Sequence, residues 1–150
     1  MALRMSTTFP LQTLLELTQT RTDEAARRLG ELLAAERSVA DKLRMLEDYR
    51  QEYNARFVAA AQAGLSPDAW RNYTAFIARL DEAIIAQHSI VTQSQHQTAQ
   101  GQQAWLKQRN RLMAFDTLAE RHRQQLARAE ARQEQKQADE HAARRRHDED

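Results

Sequence analysis

The sequence predicts an all-α fold, two long helices folded back on one another as an antiparallel coiled-coil hairpin, and three observations carry that prediction. Ala, Glu, Lys, Leu and Arg supply 76 of the 150 residues, the bias of long helices and coiled coils. Only three Gly and two Pro are present, too few to turn a chain every dozen residues, which excludes sandwiches, barrels and βαβ folds. A seven-residue apolar repeat runs on both sides of one strong turn signal, Gly64-Leu65-Ser66-Pro67, as a coiled-coil seam requires.

Helix one is expected from about residue 9 to residue 62, starting at Thr8-Phe9-Pro10, where proline suits a first helical turn. At 1.5 Å per residue it would span roughly 80 Å. Its d positions are Leu11, Thr18, Ala25, Leu32, Val39, Leu46, Tyr53 and Ala60, and its a positions are Leu15, Thr22, Leu29, Glu36, Leu43, Arg50 and Phe57. Eleven of these fifteen are apolar in a chain that is 41% hydrophobic, so the repeat is a seam and not chance.

The turn follows over residues 63–66. Gly64 can close a helix in the left-handed conformation, and Ser66, Pro67 and Asp68 are N-cap, first-position and first-turn residues of the next helix. Leu65 and Trp70 have the spacing of a hydrophobic staple.

Helix two is expected over about 67–143, with flexible ends at 1–8 and 144–150, the whole forming one coiled-coil domain. Its a positions, Trp70, Ile77, Ile84, Val91, Thr98, Trp105, Leu112, Ala119, Leu126 and Gln133, are mostly apolar. Its d positions are weaker: Tyr73, Leu80, Phe115 and Ala129 alternate with Gln87, Ser94, Gly101, Gln108 and His122.

A short turn makes the helices antiparallel neighbours and pairs residues whose numbers add to about 131. Leu29 then faces the region of Gly101, and Phe57 that of Tyr73. Helix one runs out of partner near residue 120, leaving Arg121 to Arg146 as an overhanging C-terminal helix that orders on a partner. Gln87 to Gln108, with eight Gln and a Gly, is expected to be the softest part of the pairing.

Catalytic motifs are missing. There is no Gly-rich phosphate loop, G-x-S-x-G or H-E-x-x-H, the five His are scattered at 88, 96, 122, 141 and 147, and there is no Cys. A helical hairpin also lacks the water-excluding pocket of an enzyme. No enzymatic activity, metal or cofactor is therefore expected. A mean hydropathy of −0.81 and the lack of a long apolar run argue against a membrane span, and the first twenty residues do not read as a secretory signal, so the expected compartment is the cytoplasm.

Recognition remains. Tyr49, Phe76 and Ala83 fall at g positions, and the antiparallel pairing gathers them on one flank near the turn, rimmed by Tyr53, Leu46 and Leu80. Such residues can simply widen a core, or form a docking site with aromatic anchors. Leu14, Leu17, Leu33, Leu106 and Leu118 also lie off register and suit a second face or an oligomer contact. Residues 119–147 carry eight basic against five acidic side chains, either a solvated salt-bridged helix or an Arg-rich element for a partner's acidic loops. A net charge of +1 and the lack of aromatics in that tail argue against nucleic acid.

Several segments, in order, resemble the FliJ family of flagellar export proteins. They are Phe9-x-Leu11-x-x-Leu14-Leu15, Met45-Leu46-Glu47-Asp48-Tyr49-x-x-Glu52-Tyr53, Trp70-x-Asn72-Tyr73-x-x-Phe76-Ile77-x-x-Leu80, then Trp105, Leu118-x-x-Arg121 and Gln135-Lys136-x-x-Asp139-Glu140-x-Ala142-x-Arg144. The resemblance spans almost the whole chain. It implies a nonenzymatic component of the flagellar type III export apparatus, with a hairpin similar to the central stalk of rotary ATPases. It further implies that the end carrying both termini enters the hexameric ring of the export ATPase FliI and promotes its assembly, through Leu11, Leu15, Arg121, Arg128, Gln135, Lys136, Asp139 and Glu140. A patch near the turn would contact the export gate protein FlhA, at positions corresponding to Lys42, Leu46, Tyr49, Tyr53, Phe76, Leu80 and Ala83, with an eighth falling on Gln87 or His88. Handling of substrate chaperones and a place at the cytoplasmic face of the inner membrane, held through partners, follow from the same resemblance, as do roles in motility and chemotaxis. Two readings compete with it: a generic coiled-coil scaffold or homodimer, and the equivalent stalk of a virulence-type secretion system.

Overall fold

A computed structural model describes residues 8–150. Two helices, α1 (Gln12–Ala63) and α2 (Pro67–Glu149), account for nearly all of them, and no strand occurs among the described residues. The chain divides into two compact units, one of residues 24–105 and one joining the residues up to Asp23 with those from Leu106 on.

The unit of residues 24–105 contains the turn, and its capping follows the residue types. Gly64 has φ 99°, the left-handed conformation a side chain disfavours, and its N–H donates to Ala61 O at 3.2 Å. Ser66 Oγ accepts the Ala69 N–H at 3.2 Å, satisfying an orphan donor of the first turn of α2. The helices then pair antiparallel in the expected register: Arg50 meets Asp81, Thr98 Oγ lies 3.4 Å from Leu32 O, and the Phe57 and Tyr73 rings are 5.5 Å apart.

Every one of the fifteen α1 seam positions is buried or half-buried. Among the described residues the most enclosed are nevertheless largely polar: Thr18, Thr22, Gln87 and Thr98 are buried, against two apolar residues, Leu32 and Leu80. Two helices touch along one line, which covers a short side chain completely and leaves the far end of a large one in water. The polar groups are satisfied at once. Thr18 and Thr22 hydroxyls donate to the carbonyls four residues back at 2.7 Å, and Gln87 Nε2 donates across the pair to Val39 O at 2.9 Å.

In the other unit Phe9 packs on His122 with ring centroids 5.6 Å apart. Three bounds differ from those expected. Helix one begins at Gln12 and not at residue 9, because Phe9 to Leu11 form a tight entry turn in which Gln12 N–H donates to Phe9 O at 3.0 Å. Partial burial on α2 extends past residue 120 to His122, Leu126 and Ala129, and every residue from Glu130 on is exposed; Thr8 and Phe9 line one cavity with His122 and Leu126. Residues 144–149 continue α2 as helix, beyond the expected bound of about 143. No Gly or Pro follows Gly101 to stop α2, and Arg146 and His147 in the last turn suit the negative end of the helix dipole. Of the other expected flexible end, 1–8, all but Thr8 lies outside the described residues.

Candidate functional site

Close to the turn, six aromatic rings form a continuous series across the two helices. Trp70 meets Phe57 at 5.0 Å, Phe57 meets Tyr73 at 5.5 Å, Tyr73 meets Tyr53 at 5.4 Å, Tyr53 meets Phe76 at 4.3 Å, and Phe76 meets Tyr49 edge-on at 5.9 Å. Centroid separations and tilts of this kind are favourable for aromatic pairs. The series emerges from the seam at both ends. Tyr49 is 43% exposed and Trp70 51%. For Trp70 this corrects its assignment to the core: at the first turn of α2 it has little of α1 left to cover an indole, and it rests on Phe57 alone among the rings.

The residues implied for the gate contact all lie in the unit of residues 24–105, and the structure separates them into three groups. Lys42, Tyr49, Phe76 and Ala83 occupy g positions on one flank, with Leu46 and Tyr53 half-buried at its base. Leu80 is buried beneath that flank and offers it no free surface. The eighth position is off it in either form. Gln87 is turned into the seam, and His88 lies about 120° around α2 from Phe76, on the opposite edge, where Nε2 is 3.4 Å from Glu47 Oε1.

That opposite edge is charged. Beside Glu47 and His88, Arg50 and Asp81 form an ion pair, and the Asp81 hydrogen bond and charge hold the Arg50 guanidinium above its ordinary pKa. A raised pKa contributes in full below the ordinary value, so the Arg50 guanidinium keeps its charge throughout the accessible pH range. Both side chains are over two-fifths exposed, and the pair contributes to register more than to stability. One edge of the paired helices is thus ionic and the other aromatic.

Residues implied for the ATPase contact lie in the other unit. Leu11 and Leu15 are half-buried in its seam, and Arg121 borders a cavity of about 370 Å³ with Phe9, Leu118, His122 and Gln125. From Glu130 on, every residue is exposed. Arg121, Arg128 and Gln135 recur every seven residues with Asp139 four later, so they share one face of α2, and Gln135 Nε2 donates to Asp139 Oδ1 at 3.1 Å. Lys136 and Glu140 lie about 100° around from that face.

Five exposed apolar side chains escaped the heptad reading: Met45 at 61%, Val58 at 46%, Ile85 at 70%, Ile90 at 45% and Met113 at 54%. Ile90 had a legible signal, since it follows Phe76 and Ala83 at the next g position and prolongs their flank. Met45 and Ile85 sit on outward faces that a seam-based reading passes over. Among the described residues no group of three His, Asp or Glu is placed to hold a metal ion, and no helix is long and apolar enough to cross a membrane.

Comparison with known proteins gives a consistent result. The family model described as Flagellar FliJ protein matches residues 7–149. The Flagellar FliJ protein of Salmonella typhi is 34% identical over 134 residues, covering 89% of this chain and 91% of that one. The Flagellar FliJ protein of Escherichia coli (strain K12) matches with the same identity and coverage.

Proposed function

The chain belongs to the flagellar FliJ family, non-catalytic components of the flagellar export apparatus, and we propose that it couples the export ATPase to the export gate. In this reading the unit built from both ends of the chain engages the FliI ring and promotes its assembly, through Leu11, Leu15, Arg121, Arg128, Gln135, Lys136, Asp139 and Glu140. The unit of residues 24–105 engages FlhA through Lys42, Leu46, Tyr49, Tyr53, Phe76 and Ala83, with Leu80 supporting them from below. Substrate chaperones are further partners, and the protein is held at the cytoplasmic face of the inner membrane by these contacts.

The observation that carries the reading is the flank of Tyr49, Tyr53 and Phe76. Three rings within 6.2 Å of one another, with Tyr49 43% exposed, form a pre-packed aromatic anchor of the kind that dominates binding energy at interfaces. It coincides with the positions implied by the family resemblance.

The test is binding of the purified gate cytoplasmic region to the double variant Tyr49→Ala/Phe76→Ala. A loss of at least tenfold in affinity, about 1.4 kcal/mol or more, is expected with helicity by circular dichroism unchanged; retained affinity removes the gate assignment. In parallel, deleting residues 130–150 is expected to abolish stimulation of ATP hydrolysis by the export ATPase, and stimulation that survives the deletion removes the tail from that contact.

A further inference from the structure

We propose that the outward face of α1 between Asp41 and Glu52 is a second docking strip, bordering the aromatic flank at Tyr49, and that it takes a basic amphipathic helix. The proposal does not rest on the partner assignments above. Its core residues are Met45, Asp41 and Asp48, none of which belongs to the gate or ATPase sets.

The strip is a shallow groove of about 570 Å³ lined by Asp41, Arg44, Met45, Asp48 and Glu52, with Leu46 and Tyr49 of the aromatic flank at its border. These residues follow the i, i+4, i+7, i+11 spacing of one helix face, Asp41, Met45, Asp48 and Glu52, with Arg44 and Tyr49 at its two sides. Met45 and Tyr49 are one turn apart, 61% and 43% exposed, and give the groove an apolar centre. Met is an adaptable contact residue at binding surfaces because its unbranched chain moulds to what it meets.

Charge identifies the occupant. Three carboxylates line the groove against one guanidinium, and while Glu52 pairs with Arg56 at 3.2 Å, Asp41 and Asp48 form no ion pair among the described residues. Two uncompensated carboxylates four residues before and three after an exposed Met suit a partner with apolar residues on one face and Lys or Arg beside them. A helix lying along α1 presents its own side chains at the same period, the helix-in-groove mode of recognition. The C-terminal helix of a second copy of this chain is basic enough but has no apolar residue larger than Ala after Leu126, so it cannot fill the space beside Met45.

The probe is a pair of fluorescein-labelled synthetic helices of about 18 residues with the same Leu stripe, one flanked by Lys and one by Glu. Fluorescence anisotropy with the full chain is expected to show the Lys helix binding at least tenfold more tightly. Met45→Glu should remove most of that binding. Asp41→Lys/Asp48→Lys should reverse the Lys-over-Glu preference, with circular dichroism unchanged for both variants. Equal binding of the two helices, or a preference that survives Asp41→Lys/Asp48→Lys, would overturn the proposal. So would a concentration-dependent dimer in light scattering that Met45→Glu abolishes, since the occupant is then a second copy. The Tyr49→Ala/Phe76→Ala gate test and the Met45→Glu peptide test use different residues and probes, so either can fail alone.

Discussion

Next to the turn, α1 and α2 meet ring against ring; further along the same unit they meet through a threonine, a glutamine and a glycine. The two stretches use the same heptad geometry and reach opposite results. Where Tyr53, Phe57, Tyr73 and Phe76 interdigitate, each is only half-buried, and the excess of each ring becomes outer surface. Where Leu32, Gln87, Thr98 and Gly101 meet, three of the four are buried and little projects. A two-helix pair therefore trades burial for surface by side-chain size. The aromatic stretch holds the helices together and offers an anchor to a partner, while the polar stretch fixes which residue faces which. Gln87 donates to the Val39 carbonyl, a bond that forms only in one register, as single buried polar residues do in coiled coils, while the Thr98 hydroxyl has Ser94 O at 3.1 Å in its own helix and Leu32 O at 3.4 Å across the pair.

Removing Tyr53 should break the contrast most severely. Its ring touches Tyr49, Phe76 and Tyr73 at 6.2, 4.3 and 5.4 Å, so Tyr53→Ala is expected to cost about 3 kcal/mol through lost burial and ring contacts. Urea unfolding followed by circular dichroism measures it. Gln87→Met should change stability by less than about 1 kcal/mol, because Val39 O lies within helix α1 and an apolar side chain of similar length takes the amide's place. Its effect should appear in register. Spin labels at Arg28 and Ala104, which border the same groove, are expected to show a broadened distance distribution in Gln87→Met and a narrow one in the parent. A loss of stability in Gln87→Met as large as that in Tyr53→Ala would show that the polar stretch holds the pair as strongly as the rings do.

Much of this was legible in the residues. The helices, the cap at Gly64 and Ser66, the register and the polar d positions of α2 all follow from local rules with a period of seven. What stayed hidden depends on how far neighbouring elements extend. Leu80 and Trp70 are both seam residues by spacing, yet one is 7% and the other 51% exposed, because Leu80 has α1 on both sides of it and Trp70 stands where α1 is ending. The packing of Phe9 on His122 was missed for the matching reason: Phe9 precedes α1, and periodicity says nothing about the path before a helix starts. His88 shows the limit of transfer from a resemblance. One residue of offset in a helix moves a side chain by 100°, enough to exchange the aromatic flank for the seam at Gln87 or for the ionic edge at His88.

The smallest expected effects sharpen the comparison most, because they separate helix propensity from packing within a single unit. Gly30 and Gly101 are both mid-helix glycines. A Cβ on Gly30 would meet nothing within 4 Å, and Gly30→Ala should therefore return the ordinary propensity gain of about 0.5–1 kcal/mol. A Cβ on Gly101 would stand 2.5 Å from Leu32 Cδ1. Leu32 is buried, so its tip cannot swing aside without pressing on the rest of the seam, and overpacking of this kind costs about 1 kcal/mol or more. Gly101→Ala should then be neutral or destabilising despite the same gain in propensity. Combining it with Leu32→Val, which withdraws the obstructing methyl, should restore part of that gain. Melting temperatures of the three variants decide the matter: if Gly101→Ala stabilises as much as Gly30→Ala, the notch under Leu32 is slack, and register in this stretch rests chiefly on the Gln87 hydrogen bond.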